Sequence, residues 1–518
     1  MTFTKELRLY QEAASKRIVE RGRCLLALDL GTGKTIVSLH AIEKLREEGK
    51  IKCALLIMSS SLTYQWSEKI GQFTDTQSVL LVDSSLSIAK REAVLTEAMS
   101  QPPSYLIMGL RQAVKHVDFI KRLNPELILV DEVTSIKNFG SQQSKAIKKM
   151  TSTYRIGLTA EPIENGKAEE LYSIMQWIDP QLFGNWQGFE DKYINRNSYN
   201  IITDYKNVDE MHSILMTACI NKRRTDKDVA TFMPTVEEYD IYVEMDNATR
   251  NIYAGIAQDL LQELRGGGER AVLDLARYYS GGRQEGGEVG RAASRLTSLH
   301  LLCDSPTLLE ASARAYEDPA DPRGSSYANQ LLRAGRLPST PVLGAKIEAC
   351  VELVEKYLSS NPEHKVIVFA RFKGVLPILA KQLDKYGSVL FTGDLNGKQR
   401  GEAISKFATS PDVRLFLSSD AGGYGVDLYM ASHLINFDLP MSSGTFKQRN
   451  GRHVRASSTF RTVYIDNLIL EGSVEEYQKK RLDYKARVGS AIVSGRGYDK
   501  SGRVTNDVKS LTKFLEEN

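Results

Sequence analysis

Three groups of residues in this sequence have the types and spacing to act on a phosphate chain. The first is Gly31-Thr32-Gly33-Lys34-Thr35. Glycines let the backbone curl so that successive N–H groups face one anion-sized hollow, and a helix starting there adds its partial positive charge. Lys34 would lie against the β and γ phosphates, and the Thr35 hydroxyl would hold Mg2+. The longer G-x-x-x-x-G-K-[ST] pattern is not met, because Leu28 stands where its first glycine would be. The second group is Asp131-Glu132, two carboxylates at the end of the apolar run Leu127 to Val130. Adjacent acids at a buried strand end are costly without a cation, so Asp131 is assigned to the metal and Glu132 to deprotonating an attacking water. The third is Gln448-Arg449-Asn450-Gly451-Arg452-His453-Val454-Arg455. Arg452 and Arg455 stand three apart, so both guanidinium groups would project from one side of a helix or turn. A solvated basic helix face would have the same spacing. Read with the other two groups, this pair would instead stabilise charge on a γ phosphate during hydrolysis.

These groups need a frame. From Cys24 to about Ala160, short apolar runs at Cys24–Leu30, Ala54–Ser59, Val79–Asp83, Tyr105–Gly109, Leu127–Asp131 and Arg155–Thr159 alternate with helical patterns. That is the rhythm of a parallel sheet with crossover helices. After the first run, Val37, Ala41 and Leu45 fall at i, i+4 and i+8 and would line one helix face. A second series has strands near Val366–Ala370, Val389–Thr392, Leu415–Ser418, His433–Phe437 and Val463–Leu468. The fold class expected is therefore α/β, with two tandem lobes built on parallel sheets and a helical insertion between them. The expected divisions are 1–165 for lobe one, 166–340 for a mostly helical linker, 341–484 for lobe two and 485–518 for a weakly basic appendage. Within the linker, Gly266 to Gly290 is glycine-rich, and Arg265, Arg270, Arg277, Arg283, Arg291 and Arg295 dot the same region. It reads as a flexible solvated insertion or as a mobile loop touching phosphates.

Composition sets outer limits. The 518 residues suffice for several cores, and 42% hydrophobic with 25% charged residues is the balance of a folded chain. Lys plus Arg total 68 against 64 Asp plus Glu, a net +4 that does not identify a nucleic-acid partner, so any basic site must be local. Five scattered cysteines without a C-x-x-C pair, and no H-E-x-x-H, point to reduced thiols and no zinc. No apolar run approaches the length of a membrane span, and Lys5, Glu6 and Arg8 occupy the place of a signal-peptide core. A cytoplasmic, membrane-free monomer is expected.

With these motifs in this order, the chain resembles superfamily 2 helicase-type motors, and most closely the SWI/SNF-type, chromatin-remodeller-like DNA-dependent ATPases. Asp131-Glu132-Val133-Thr134-Ser135-Ile136-Lys137-Asn138 resembles that branch's D-E-A-H-x-I-K-N, and Leu158-Thr159-Ala160-Glu161-Pro162-Ile163-Glu164-Asn165 resembles L-T-G-T-P-I-x-N. Lys222-Arg223-Arg224-Thr225-Asp226-Lys227-Asp228-Val229 is similar to its linker signature. Thr134, Ala160 and Glu161 depart from the pattern, and Gly451 and Asp427 follow the wider superfamily.

The resemblance implies RecA-like lobes, ATP and Mg2+ as cofactors and DNA as partner. It implies an ATP-dependent DNA helicase or translocase in which hydrolysis between the lobes drives movement along DNA. By the same likeness Gln11 reads the adenine, and Gly31, Thr32, Gly33, Lys34, Thr35, Gly425, Asp427 and Gln448 contact the nucleotide. Ser60, Trp66, Gly109, Arg111, Lys137, Asn138, Arg371, Gly393, Arg400 and Ser419 would face nucleic acid. Tyr64 and Trp66 could stack on bases or pack in the core. Lys137, Lys145, Lys148 and Lys149 could bind phosphates or form a solvated face. Two rivals stay open: an RNA-directed motor of the same superfamily, and a nucleic-acid-binding scaffold that uses ATP only as a conformational ligand. A compact motor of this kind would suit a bacterium or its virus.

Overall fold

The computed structural model describes residues 3–60, 62–83, 86–196, 202–280, 290–318, 321, 324–338, 342–420, 426–495 and 508–517. The chain divides into two compact units, Met1–Met233 with Lys485–Lys500, and Pro234–Tyr484 with Ser501–Asn518.

In the first unit the strands are β1 (Arg23–Leu28), β2 (Ala54–Met58), β3 (Val79–Val82), β4 (Tyr105–Gly109), β5 (Leu127–Asp131) and β6 (Tyr154–Leu158), then the hairpin β7 (Ile194–Arg196) and β8 (Ile202–Tyr205), and β9 (Cys219–Lys222). Seven of them form one parallel sheet in the order β3-β4-β2-β5-β6-β1-β9. Unbroken apolar sequence makes these strands parallel and central: Cys24 to Leu28 and Ala54 to Met58 are buried throughout, because helices cover both sheet faces. The helix Lys34–Glu47 buries Val37, Ala41 and Leu45 along with Leu39 and Ile42. All strands run the same way, so β1, β5 and β6 bring their carboxyl ends to one edge, with Asp131 and Leu26 both in register with Leu158.

The second unit holds β10 (Thr235–Val243), β11 (Val366–Ala370), β12 (Ser388–Phe391), β13 (Leu415–Ser419), β14 (His433–Asn436) and β15 (Thr462–Leu470). They form a second parallel sheet ordered β10-β15-β14-β11-β13-β12.

The stretch 166–340, which reads as mostly helical, also supplies β7 to β10, and it is shared between the two units. β10 escapes a pattern search because it lies at the sheet edge and leaves Glu237, Glu238, Tyr239, Asp240 and Tyr242 largely outside the core. Within the glycine-rich segment, the described part Gly268–Ser280 is helical. Ala271, Leu275 and Tyr279 repeat every four residues and are buried in the core of the second unit, which anchors this helix; 281–289 lie outside the described residues. Arg265 pairs with Glu516 and Arg295 with Glu263, so these two are engaged within the protein. Arg283 lies outside the described residues. The described parts of the segment after Lys485 are packed. Val488, Ile492 and Val493 on the helix Val474–Ser494 are buried, and Leu511, Phe514 and Leu515 join the core of the second unit.

Candidate active site

The phosphate loop begins where β1 ends. Gly31 and Gly33 adopt φ of 79° and 97°, a left-handed conformation costly for other residues, and Gly33 caps the helix that Lys34 opens. A Cβ on Gly33 would collide with Gln11 Nε2, so a side chain there would also push Gln11 away from the loop. The Thr32 hydroxyl donates to the Asp29 carbonyl at 2.6 Å. The Thr32 carbonyl accepts from the Tyr10 hydroxyl at 2.8 Å and from Gln11 Nε2 at 3.1 Å. Gln11 is thus fixed against the loop from the helix Leu9–Arg21, its Oε1 accepting the Arg8 N–H at 3.0 Å. Lys34 Nζ donates to the Leu28 carbonyl at 3.0 Å, a neutral partner that an anionic phosphate can displace. Thr35 is half-buried one residue further into the helix.

At the end of β5, the Asp131 Oδ2 accepts the Trp66 indole N–H at 2.8 Å and Oδ1 accepts the Glu132 N–H at 2.9 Å. Burial raises the Asp131 pKa, opposed by the Trp66 hydrogen bond and the charge of Lys34. Glu132 has φ of 51°, an uncommon strained conformation for a side chain of this size that turns the chain sharply out of the strand. Carboxylate and hydroxyl oxygens at Asp131 and Thr35 are the hard donors that suit Mg2+.

In the second unit the helix Ser443–Asn450 leads into the turn that carries Arg452 and Arg455. Both guanidinium groups reach one loop: Arg452 donates to the Val426 carbonyl at 3.4 Å, and Arg455 Nε donates to Asp427 Oδ1 at 2.8 Å. Asp427 is therefore a partner of Arg455. Gln448 is half-buried on the helix, and Gly425 lies outside the described residues. Sequence reading passed over Arg449, which is 2% exposed and donates to Asp420 at 2.6 Å and to the Asp438 carbonyl and carboxylate at 2.7 and 3.2 Å.

The residues assigned to nucleic acid are scattered in environment. Ser60 and Arg111 are exposed at strand ends, and Gly109 packs so closely that a Cβ there would meet Ser60 Oγ at 2.8 Å. Asn138 and Gly393 are exposed, Lys137 pairs with Glu164, and Arg400 Nε donates to the Leu395 carbonyl at 3.1 Å. Trp66, Arg371 and Ser419 need correction. Trp66 is 2% exposed and spends its N–H on Asp131, which leaves no ring face for a base. Arg371 donates to the Tyr278 hydroxyl at 3.3 Å and lies over the Tyr278 and Phe372 rings, and Ser419 is buried at the end of β13.

Two tandem RecA-like lobes, with a phosphate loop and acidic pair in one and an arginine turn in the other, define the helicase-like α/β class. The chain belongs to the SNF2-related family: the SNF2-related domain matches residues 11–284, and the helicase conserved C-terminal domain matches 345–457. It is similar to the DNA repair and recombination protein RAD54B of Gallus gallus, with 22% identity over 513 residues, 94% of this chain and 53% of that one. It is also similar to the ISWI chromatin-remodeling complex ATPase ISW1 of Saccharomyces cerevisiae, with 23% identity over 475 residues, 90% of this chain and 38% of that one. The chain spans about half or less of the length of these relatives. Among solved structures, the Pyrococcus furiosus Hef helicase domain matches with a TM-score of 0.54 at 14% identity, covering 92% of this chain and 99% of that one. The Sulfolobus solfataricus SWI2/SNF2 ATPase core in complex with dsDNA matches with a TM-score of 0.42 at 22% identity, covering 95% and 94%. No helix among the described residues is long and apolar enough to cross a membrane.

Proposed function

We propose that this chain hydrolyses ATP and uses the free energy to move along DNA, remodelling forks or branches, separating strands or displacing bound proteins. The observation that carries the reading is the meeting of Lys34, Thr32 and Gln11 on one loop with Asp131 and Glu132 at the same sheet edge.

Lys34 exchanges the Leu28 carbonyl for phosphate oxygens, and the loop N–H groups take the remaining charge. Thr35 and Asp131 would hold Mg2+, which when bound neutralises charge on the β and γ phosphates. Glu132 accepts the proton of the attacking water. In the second unit, Asp427 holds Arg455 in its rotamer, and Arg452 and Arg455 are the side chains chemically suited to developing negative charge. Gln11 reads the adenine.

DNA as partner is supported by the family and by the names of its relatives, several of which act on DNA or chromatin. The test is ATP turnover by the purified chain with duplex DNA, single-stranded DNA and RNA. Turnover that rises with DNA and disappears in Lys34→Ala is expected. Stimulation by RNA alone would make the chain an RNA-directed motor, and a single round of binding without turnover would make it a scaffold.

A further inference from the structure

Resting on the reading of the chain as an ATPase, we infer that Arg223 is a positioning residue for hydrolysis, tying the entry of the phosphate loop to the turn after β6 through Asp29 and Glu161.

β9 lies beside β1 in parallel, with Lys222 opposite Leu28, so the next residue on each strand falls at the mouth of the phosphate loop. There the Asp29 carboxylate accepts from Arg223 NH1 at 3.2 Å and from the Arg224 N–H at 2.9 Å. The same NH1 lies 4.0 Å from Glu161 Oε2, and Arg223 Nε donates to Ser494 Oγ at 3.3 Å. The three side chains are 14%, 7% and 15% exposed, so their charges interact with little screening. Burial works against the charge on Arg223, but Glu161 and Asp29 together outweigh it and hold the guanidinium cationic.

Both anchors lead into the candidate active site. The Asp29 carbonyl accepts the Thr32 N–H at 3.3 Å as well as its hydroxyl, and Thr32 in turn holds Tyr10 and Gln11. The Glu161 N–H donates to Thr159 Oγ1 at 3.0 Å and so closes the turn after β6, the strand between β5 and β1. Arg223 therefore joins the segment that enters the phosphate loop to the turn after β6. Glu161 stands where the SWI/SNF-type pattern has threonine. Here a second carboxylate shares the guanidinium, and the turn after β6 is bound by charge as well as by hydrogen bonds.

The experiment compares kcat and KM for ATP, with saturating duplex DNA, in full-length wild type, Arg223→Met, Arg223→Lys, Glu161→Gln and the Glu161→Gln/Arg223→Met double variant. Sites are counted by mant-ADP binding so that misfolded protein does not enter kcat. Misplacement of the phosphate loop predicts that Arg223→Met loses about 10- to 100-fold in kcat per site, with KM much less affected. Arg223→Lys should recover part of that loss. Glu161→Gln alone should lower kcat several-fold, yet change little once Arg223 is methionine, because contacting residues are not additive. A wild type that turns over ATP while Arg223→Met keeps kcat within about two-fold overturns this inference alone, as do fully additive effects of the two substitutions. A wild type without turnover overturns the ATPase reading and this inference with it.

Discussion

The roles proposed for Lys34 and Glu132 can be separated, one side chain at a time, into binding and chemistry. Lys34→Ala should abolish turnover, whereas Glu132→Gln should retain mant-ATP binding and lower kcat by about 10²- to 10⁴-fold, the range for removal of a general base. Trp66→Phe tests the partnership of Trp66 with Asp131. Because its indole N–H serves Asp131, Trp66→Phe should reduce kcat and leave DNA affinity unchanged, as read by turnover and by fluorescence anisotropy with a labelled duplex. A loss of DNA affinity instead would return Trp66 to the nucleic-acid surface. Gly31 to Thr35, Asp131-Glu132 and Arg452/Arg455 stand out in the sequence as candidates only in combination, since the spacing of the arginines alone also fits a solvated helix face. The contacts that fix them were not legible there. Nothing in the sequence marks Trp66 as partner of Asp131, or Asp427 as partner of Arg455, because both pairings span tens of residues and arise only when strands are laid side by side.

Among elements, the apolar central strands were legible to within a residue or two. β10 and the helix Gly268–Ser280 were not, because an edge strand has no continuous apolar run and neighbouring glycines mask a buried face. That helix is predicted to contribute stability. Leu275→Ala, at a fully buried site, should destabilise the second unit by about 2–5 kcal/mol in chemical denaturation, whereas a flexible insertion would tolerate it. β14 carries a pH-dependent counterpart. His433 stacks between Tyr357 at 3.9 Å and Tyr464 at 4.8 Å, and burial, with His364 beside it, lowers its pKa to about 3. Folding therefore resists its protonation. Its share of stability is intact above the ordinary histidine pKa and is lost as pH falls from there toward about 3. Asp466, raised to about 6 by burial, works in the opposite sense. It is present in both wild type and His433→Gln, so the difference in Tm between the two isolates His433. Wild type should lose Tm relative to the variant on acidification through that window.

For the whole molecule, a net +4 over 518 residues gives no general attraction to DNA, so the DNA affinity proposed above would have to come from a few cations in the right places. Exposure and internal pairing decide which cations remain available. Arg111 is exposed just after β4, and the half-buried Arg400 lies over the Phe391 ring and holds the Leu395 carbonyl through Nε, so each can give a guanidinium edge to a phosphate. Arg371 cannot, because both of its terminal nitrogens face Tyr278 and its plane lies against two rings. Each phosphate contact releases condensed counterions, and the slope of log K against log salt falls by about 0.9 per contact for duplex DNA. Arg111→Ala and Arg400→Ala should each weaken duplex binding and flatten that slope by about one. Arg371→Ala should leave the slope unchanged and lower Tm, since it removes packing and hydrogen bonds inside the second unit. A reversal, with Arg371→Ala flattening the slope and the other two silent, would mean that the packed arginine leaves Tyr278 to meet DNA and that the exposed pair is solvated surface.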